Sequence, residues 1–339
     1  MKEPVNDRLL AYLEENVAGF SGPASMEKFA GGQSNPSYKL QAASGTYVLR
    51  RQPPGKLLKS AHAVDREFRV QRALENSRVP VAKVLQLCES TEILGSMFYI
   101  MEFCDGRIFW NAALPEISSN TERAAIYDEM NRVLSELHQV DLVAAGLTDY
   151  GRPGNYFARQ YTRWSGQYRA SETRPIPAME ELMHWLNENL PADDGRVALV
   201  HGDYRLDNMV FHPEKPEIIA VLDWELSTLG HPLADLAYQC MQWRMPHKNF
   251  PLPGLRGLDR KQLGIPAEAD YVASYCKRTN QDRIENWIFY LAFSYFRLAA
   301  IIQGVAKRAV EGNASNERAA ILGRSVEPLA QLALEVIKE

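Results

Sequence analysis

The sequence predicts an α+β chain in two lobes: a small N-terminal sheet carrying one helix, then a larger and mostly helical lobe. Three observations predict it. The first hundred residues alternate short strand-like runs with turns, around a single amphipathic helix. From Gly106 onward long amphipathic segments dominate. The length, 339 residues, exceeds what one hydrophobic core usually holds, about 250–300 residues.

Leu9, Leu10 and Leu13 share one face of a short opening helix. Strand-like runs at 26–30 and 38–41 flank the turn-rich Gly31-Gly32-Gln33-Ser34-Asn35-Pro36, and a third strand, 46–51, follows Ser44-Gly45. Ser60 suits the N-cap of a helix running to about Ser77. Ala63, Glu67, Val70 and Leu74 fall on one face of it, which puts Glu67 on an otherwise apolar stripe. Two more strands, 84–88 and 97–103, complete the small lobe. The boundary is expected near Asp105-Gly106, giving lobes 1–105 and 106–339. In the second, helices are expected at 121–140, 156–169, 179–188, 233–241, 268–277 and 284–305, with a last one running to Glu339. Two strand signals, 209–211 and 218–222, interrupt them.

Composition narrows the function classes. Hydrophobic residues make up 46% and charged residues 24%, an ordinary globular balance. A formal net charge of −4 gives no basic excess for nucleic acid or an anionic membrane surface. The four cysteines, Cys88, Cys104, Cys240 and Cys276, form no C-x-x-C pair and read as reduced thiols of a cytoplasmic protein. The opening residues carry acids and no long apolar core, so no signal peptide is expected. The most apolar stretch, 287–302, is broken by Ser294 and Arg297 and is shorter than the ~20 residues of a membrane span, so it reads as a buried helix.

The chemistry concentrates in His201-Gly202-Asp203-Tyr204-Arg205-Leu206-Asp207-Asn208, which leaves the apolar run 197–200, and in Asp223, which ends the apolar run 218–222. An Asp and an Asn five positions apart on one loop can face the same cleft. Asp203 can accept a proton from an attacking hydroxyl, and Asn208 can offer an amide oxygen to a hard cation. Asp223 adds the carboxylate that Mg²⁺ prefers alongside phosphate oxygens and water. A plain Asx-rich turn would not need the strand-terminal Asp as well. The spacing of His201, His212 and His231 fits no usual zinc pattern, and no G-x-S-x-G is present.

These residues, with the sequel Gly230-His231-Pro232-Leu233-Ala234-Asp235-Leu236-Ala237, resemble the aminoglycoside phosphotransferase/choline kinase group. The resemblance is nearest to the branch of kinase domains associated with acyl-CoA dehydrogenases. It covers the chain from about Phe29 to the last helices and implies a bilobal protein-kinase-like fold with an antiparallel small-lobe sheet. It further implies ATP-dependent, Mg²⁺-using transfer of a phosphoryl group to a small hydroxylated molecule. Asp203 then matches the catalytic base, and Asn208 and Asp223 match the metal ligands and complete the catalytic set. The triplet Asp223-Trp224-Glu225 lacks the Phe-Gly switch of regulated protein kinases. Asp235 matches an acid that braces the catalytic loop. In the small lobe, Val48 matches a residue covering adenine. Arg50 stands where a phosphate-binding Lys is usual, and Glu67 matches the acid that pairs with it. Ser34 matches a contact in the nucleotide-covering turn. Met101 would sit behind the base, with the backbone of Glu102 and Cys104 against it.

One segment bears on the acceptor. Between Arg152 and Arg174 lie five arginines (152, 159, 163, 169, 174) and one acid, Glu172. The plain reading is a solvated basic helix face. The sharper reading is a wall that holds an anion, which suits a hydroxy acid or its acyl-CoA ester better than a polycationic aminoglycoside. A silent nucleotide-binding scaffold, an aminoglycoside-type kinase and a protein kinase are the alternatives; the short link from Asp223 to Gly230 leaves little room for an activation segment.

Overall fold

The computed structural model describes residues 3–29, 35–53, 62–310 and 322–339. Gly31 to Ser34 of the expected turn, and Ser60, lie outside them. The chain enters through a two-residue strand β1 (Glu3–Pro4) and helix α1 (Asp7–Asn16). The Asn6 side chain caps α1 by accepting from Leu9 N. Strand β2 (Ala24–Lys28) follows, and the two-residue turn Ala43-Ser44 joins β3 (Ser37–Ala42) to β4 (Gly45–Arg51). Helix α2 (Val64–Leu74) precedes β5 (Val84–Cys88) and β6 (Phe98–Glu102). The sheet is antiparallel, in the order β1-β2-β3-β4-β6-β5.

Alternation along β4 gives the sheet its two faces. Leu49 packs with Leu9, Leu13, Leu40, Phe98 and Ile100 beside α1. Val48 packs with Val64, Val84, Tyr99 and Met101 beside α2. Each fully buried side chain of this size contributes ~1.5–3 kcal/mol. Arg50 shares the Val48 face and is 9% exposed, so strand periodicity drives a guanidinium under α2. Arg51, on the opposite face, donates from Nη2 to Leu94 O at 2.7 Å.

Helix α2 starts later than the expected Ser60: its N-cap position is Ala63, without a side-chain cap. His62 stands at φ 62°, in the left-handed region, which no α-helix can pass through.

Four short strands come later, β7 (Ala198–Val200), β8 (Met209–Phe211), β9 (Ile218–Val221) and β10 (Thr228–Gly230); they pair antiparallel as β8–β9 and β7–β10. By packing, the chain forms two units. One comprises Met1–Ile108, Asp141–Leu147 and Asn208–Ser227; the other comprises Phe109–Val140, Thr148–Asp207 and Thr228–Glu339.

In the first unit, Arg107 and Phe211 exchange both backbone hydrogen bonds at 2.8 Å, and Val221 N donates to Pro80 O. The neighbouring Gly106 needs its missing side chain, since a Cβ there would lie 2.2 Å from Phe211 O.

The second unit is helical: α3 (Asn120–His138), α4 (Tyr156–Ser171), α5 (Pro177–Glu188), α6 (Leu233–Cys240), α7 (Arg260–Leu263), α8 (Glu268–Arg278), α9 (Trp287–Val310) and α10 (Val326–Ile337). Helices α4, α5, α6 and α10 pack on α9. By length and composition α9 could cross a membrane, but its apolar window is 78% buried in protein, as befits a core helix. It begins three residues after the expected 284 because Asn286 sits at φ 56°.

Candidate active site

The residues singled out in the sequence fall on both units. Arg50, Glu67, Asn208 and Asp223, with Val48, Met101, Glu102 and Cys104, belong to the first, and Asp203 to the second.

In the first unit Arg50 is a junction. Its Nε lies 2.7 Å from Glu67 Oε2, its Nη2 donates to Asp223 Oδ1 at 2.6 Å, and Glu225 Oε2 is 3.9 Å away. A guanidinium can do this because its donors fork; an ammonium is a single point. Glu67 is 1% exposed. It also accepts from Asn35 Nδ2 at 2.6 Å and Tyr99 Oη at 3.3 Å, so the buried carboxylate is fully partnered. Burial pushes the Glu67 carboxyl up, while Arg50 and the Asn35 amide pull it down. For Arg50, burial works against the charge, but Glu67 and Asp223 outweigh it and hold the guanidinium protonated.

Asp223 follows β9 at φ 63° and ψ 62°, a conformation that costs a non-glycine residue roughly 1–3 kcal/mol. Trp224 pins it there: the indole is 1% exposed and its Nε1 donates to Val221 O at 2.9 Å. Asn208 is held by its backbone, whose carbonyl accepts from Leu222 N at 2.8 Å. Asp223 and Asn208 carry oxygen donors of the type a hard cation takes. Asp223 Oδ2 has no hydrogen-bond partner among the described residues, which leaves an oxygen for a cation.

Val48 and Met101 join the apolar cluster that Phe103, Cys104, Ile219 and Leu222 border. Glu102 N donates to Lys83 O, so Glu102 has only its carbonyl to offer a base. Cys104 N makes no backbone hydrogen bond among the described residues. Burial and then Glu102 push the Cys104 thiol up to about 11, so it stays uncharged at neutral pH.

In the second unit Asp203 lies on the loop after β7. Gly202 takes φ 84°, which a side chain would strain. Asp235 on α6, fully buried, accepts from His201 N at 2.6 Å and Gly202 N at 2.8 Å. This is the brace that the resemblance implies. His138 Nε2 stands 3.4 Å from the same carboxylate.

Burial alone would raise Asp203. Arg205, His201, a hydrogen bond from Tyr238, and Arg297 outweigh it and hold the carboxyl below its ordinary 3.8. Arg205 Nε lies 3.2 Å from Asp203 Oδ1 and its Nη2 donates to Asp207. Arg297, on α9 and 6% exposed, donates to Gly202 O. Its guanidinium sits 5.3 Å from the Tyr238 ring and 5.6 Å from Trp164.

Sequence reasoning gave no separate role to Asn35, Tyr99, Glu225, Arg205, Tyr238 and Arg297, although Asn35, Arg205 and Glu225 lie within the stretches it singled out. Arg297 carried its own signal, a charge within an apolar stretch, which demands a partner once buried. Of the five arginines on and near α4, Arg169 pairs with Glu180, Arg174 with Glu327 at 2.7 Å, and Arg159 donates to the backbone of Arg152 and Pro153.

A family model described as the phosphotransferase enzyme family matches residues 25–269. The chain is 49% identical over 329 residues to acyl-CoA dehydrogenase family member 10 of Mus musculus, covering 96% of this chain and 30% of that protein. It spans between 30% and 43% of the length of the curated relatives it matches. A crystal structure from Ralstonia eutropha, provisionally named an aminoglycoside phosphotransferase, is 49% identical, with a TM-score of 0.89 and 99% of each chain covered. A spectinomycin phosphotransferase solved with ADP and spectinomycin shares the fold alone, at TM-score 0.65, 12% identity and 98% of each chain. The fold is therefore the kinase-like α+β architecture of these phosphotransferases.

Proposed function

The chain belongs to the phosphotransferase enzyme family, whose members act on hydroxyl groups, and we propose that it passes the γ-phosphoryl group of ATP to the alcohol of an anionic or neutral metabolite, such as a hydroxy acid or its acyl-CoA ester. One observation carries the reading: a buried arginine tied to both Glu67 and Asp223, a charge arrangement made for polyphosphate rather than for stability. Buried ion pairs add little net stability, so a strained Asp at one end of such a chain points to function.

In this mechanism Arg50 takes phosphate oxygens bidentately, and Glu67, fixed by Asn35 and Tyr99, keeps it aimed. Val48 and Met101 cover the base, with the Glu102 carbonyl and Cys104 amide as its polar edge. Asn208 and Asp223 would hold Mg²⁺, which would supply charge neutralisation at the phosphates. Asp203, ionised at neutral pH, orients the acceptor hydroxyl and takes its proton late. Positioning and charge supply most of the rate, as phosphoryl transfer requires. Residues 1–105 serve in this reading as the nucleotide-binding lobe and 106–339 as the catalytic and acceptor lobe.

The test is a screen with γ-labelled ATP against hydroxy acids, their acyl-CoA esters and aminoglycosides. Label is expected in the first two classes, in a Mg²⁺-dependent manner. Equal labelling of aminoglycosides removes the acceptor assignment, and Mg-ATP binding without turnover of any acceptor supports a silent scaffold.

A further inference from the structure

Within the second unit, two arginines meet at one aromatic ring. Arg163 and Arg297 both stand against the indole of Trp164, at 5.3 and 5.6 Å from its ring. Neither makes an ion pair with any carboxylate among the described residues, in contrast to Arg169 and Arg174 on the same stretch. Two like charges brought to one aromatic ring repel each other, and an oxyanion between them would relieve the repulsion. Burial and Arg297 hold Arg163 below the ordinary arginine value, as expected of a cation with a cation for its neighbour. Arg297 is 6% exposed and anchored to Gly202, the residue before Asp203. Trp164, itself 6% exposed, is fixed by Nε1 donating to Gln160 Oε1 at 3.0 Å.

We propose that Arg163, with Arg297 behind it on Trp164, is the anchor for an oxyanion on the acceptor, a carboxylate or a phosphate, and thereby selects which alcohols reach Asp203. This rests on the phosphotransferase reading and narrows it: the acceptor carries its own negative charge. Of the five arginines, Arg163 is the one that selects. Arg297 positions the loop through Gly202 O and shares the anion's charge.

The experiment is thermal melting of the whole chain with saturating Mg-ADP, during titration of acetate or methyl phosphate at constant ionic strength against chloride. A saturable rise in melting temperature with at least one probe is expected. Arg163→Ala should need about tenfold more of that probe, the size of a lost charged hydrogen bond. Arg163→Lys should fall between, and Arg169→Ala, whose arginine is paired with Glu180, should match the parent. The probe that saturates first tells a carboxylate acceptor from a phosphate-bearing one. No rise above the chloride control with either probe overturns the proposal, as does an unchanged titration in Arg163→Ala. A missing ADP shift counts instead against the phosphotransferase reading, since the comparison of Arg163→Ala with its parent stays readable.

Discussion

Arg50 shows how much one side chain decides. Its forked donors span Glu67 and Asp223, and a lysine at the same position would reach one of them. Arg50→Lys is expected to raise the KM for ATP about tenfold while the protein stays folded, as steady-state kinetics and circular dichroism would show. Arg50→Ala strands Glu67 as a buried charge and should lower stability by roughly 3 kcal/mol in urea melts. The pairing of Arg50 with Glu67 was legible, because a carboxylate on the apolar stripe of an amphipathic helix needs a cation. The link to Asp223 was not, since 173 residues separate the two and only the tertiary fold brings them to 2.6 Å.

The pH behaviour of Asp203 belongs to the same scale. Its carboxyl is held below 3.8, so the carboxylate is ionised above that value and is lost as pH falls through its folded value. The acid limb of the kcat/KM profile for the acceptor should therefore stay flat down to about pH 5. Tyr238→Phe removes one of the stabilising hydrogen bonds and should move that limb upward.

At the scale of elements, the loop after β7 is held from α6 by a single carboxylate. Asp235 is also held below its ordinary 3.8: burial raises it, but His138, His201 and the backbone hydrogen bond lower it further. Its contribution to stability is present above the unfolded value and lost as pH falls through the lower folded one. Asp235→Ala leaves the His201 and Gly202 amides unpaired and should cost roughly 3 kcal/mol of stability, measured by denaturant unfolding at neutral pH. At Gly106, an added Cβ meets the Phe211 carbonyl, so Gly106→Ala should cost about 1–3 kcal/mol in the same assay.

Periodicity located α1, α3, α4, α5, α6, α8 and strands β2 to β6 to within a few residues, and it missed the two-residue β1 and the four-residue α7. It misplaced the starts of α2 and α9, where His62 and Asn286 take left-handed backbone that composition does not signal. It also missed β7 and β10 as strands. Each has three residues, too few for alternation to register, and their pairing is long-range.

For the molecule as a whole, the fold class was visible because hydrophobic patterning changes character at Gly106, and the chemistry because Asp203, Asn208 and Asp223 keep a fixed spacing. Which later segments pack with the small sheet was not visible. The β8–β9 hairpin joins the first unit through Arg107 and Pro80, contacts that no local pattern encodes. The acceptor assignment remains a proposal that rests on local charge, since five arginines in one stretch look alike until their partners are seen.

The central claim is that Asp203 serves as base for phosphoryl transfer from ATP, and Asp203→Asn tests it most directly because the shape is kept and the proton acceptor is lost. Transfer of γ-label from ATP to the best acceptor should fall ~10²- to 10⁴-fold in kcat, with the KM for ATP little changed. Transfer by Asp203→Asn at the parent rate would contradict the account.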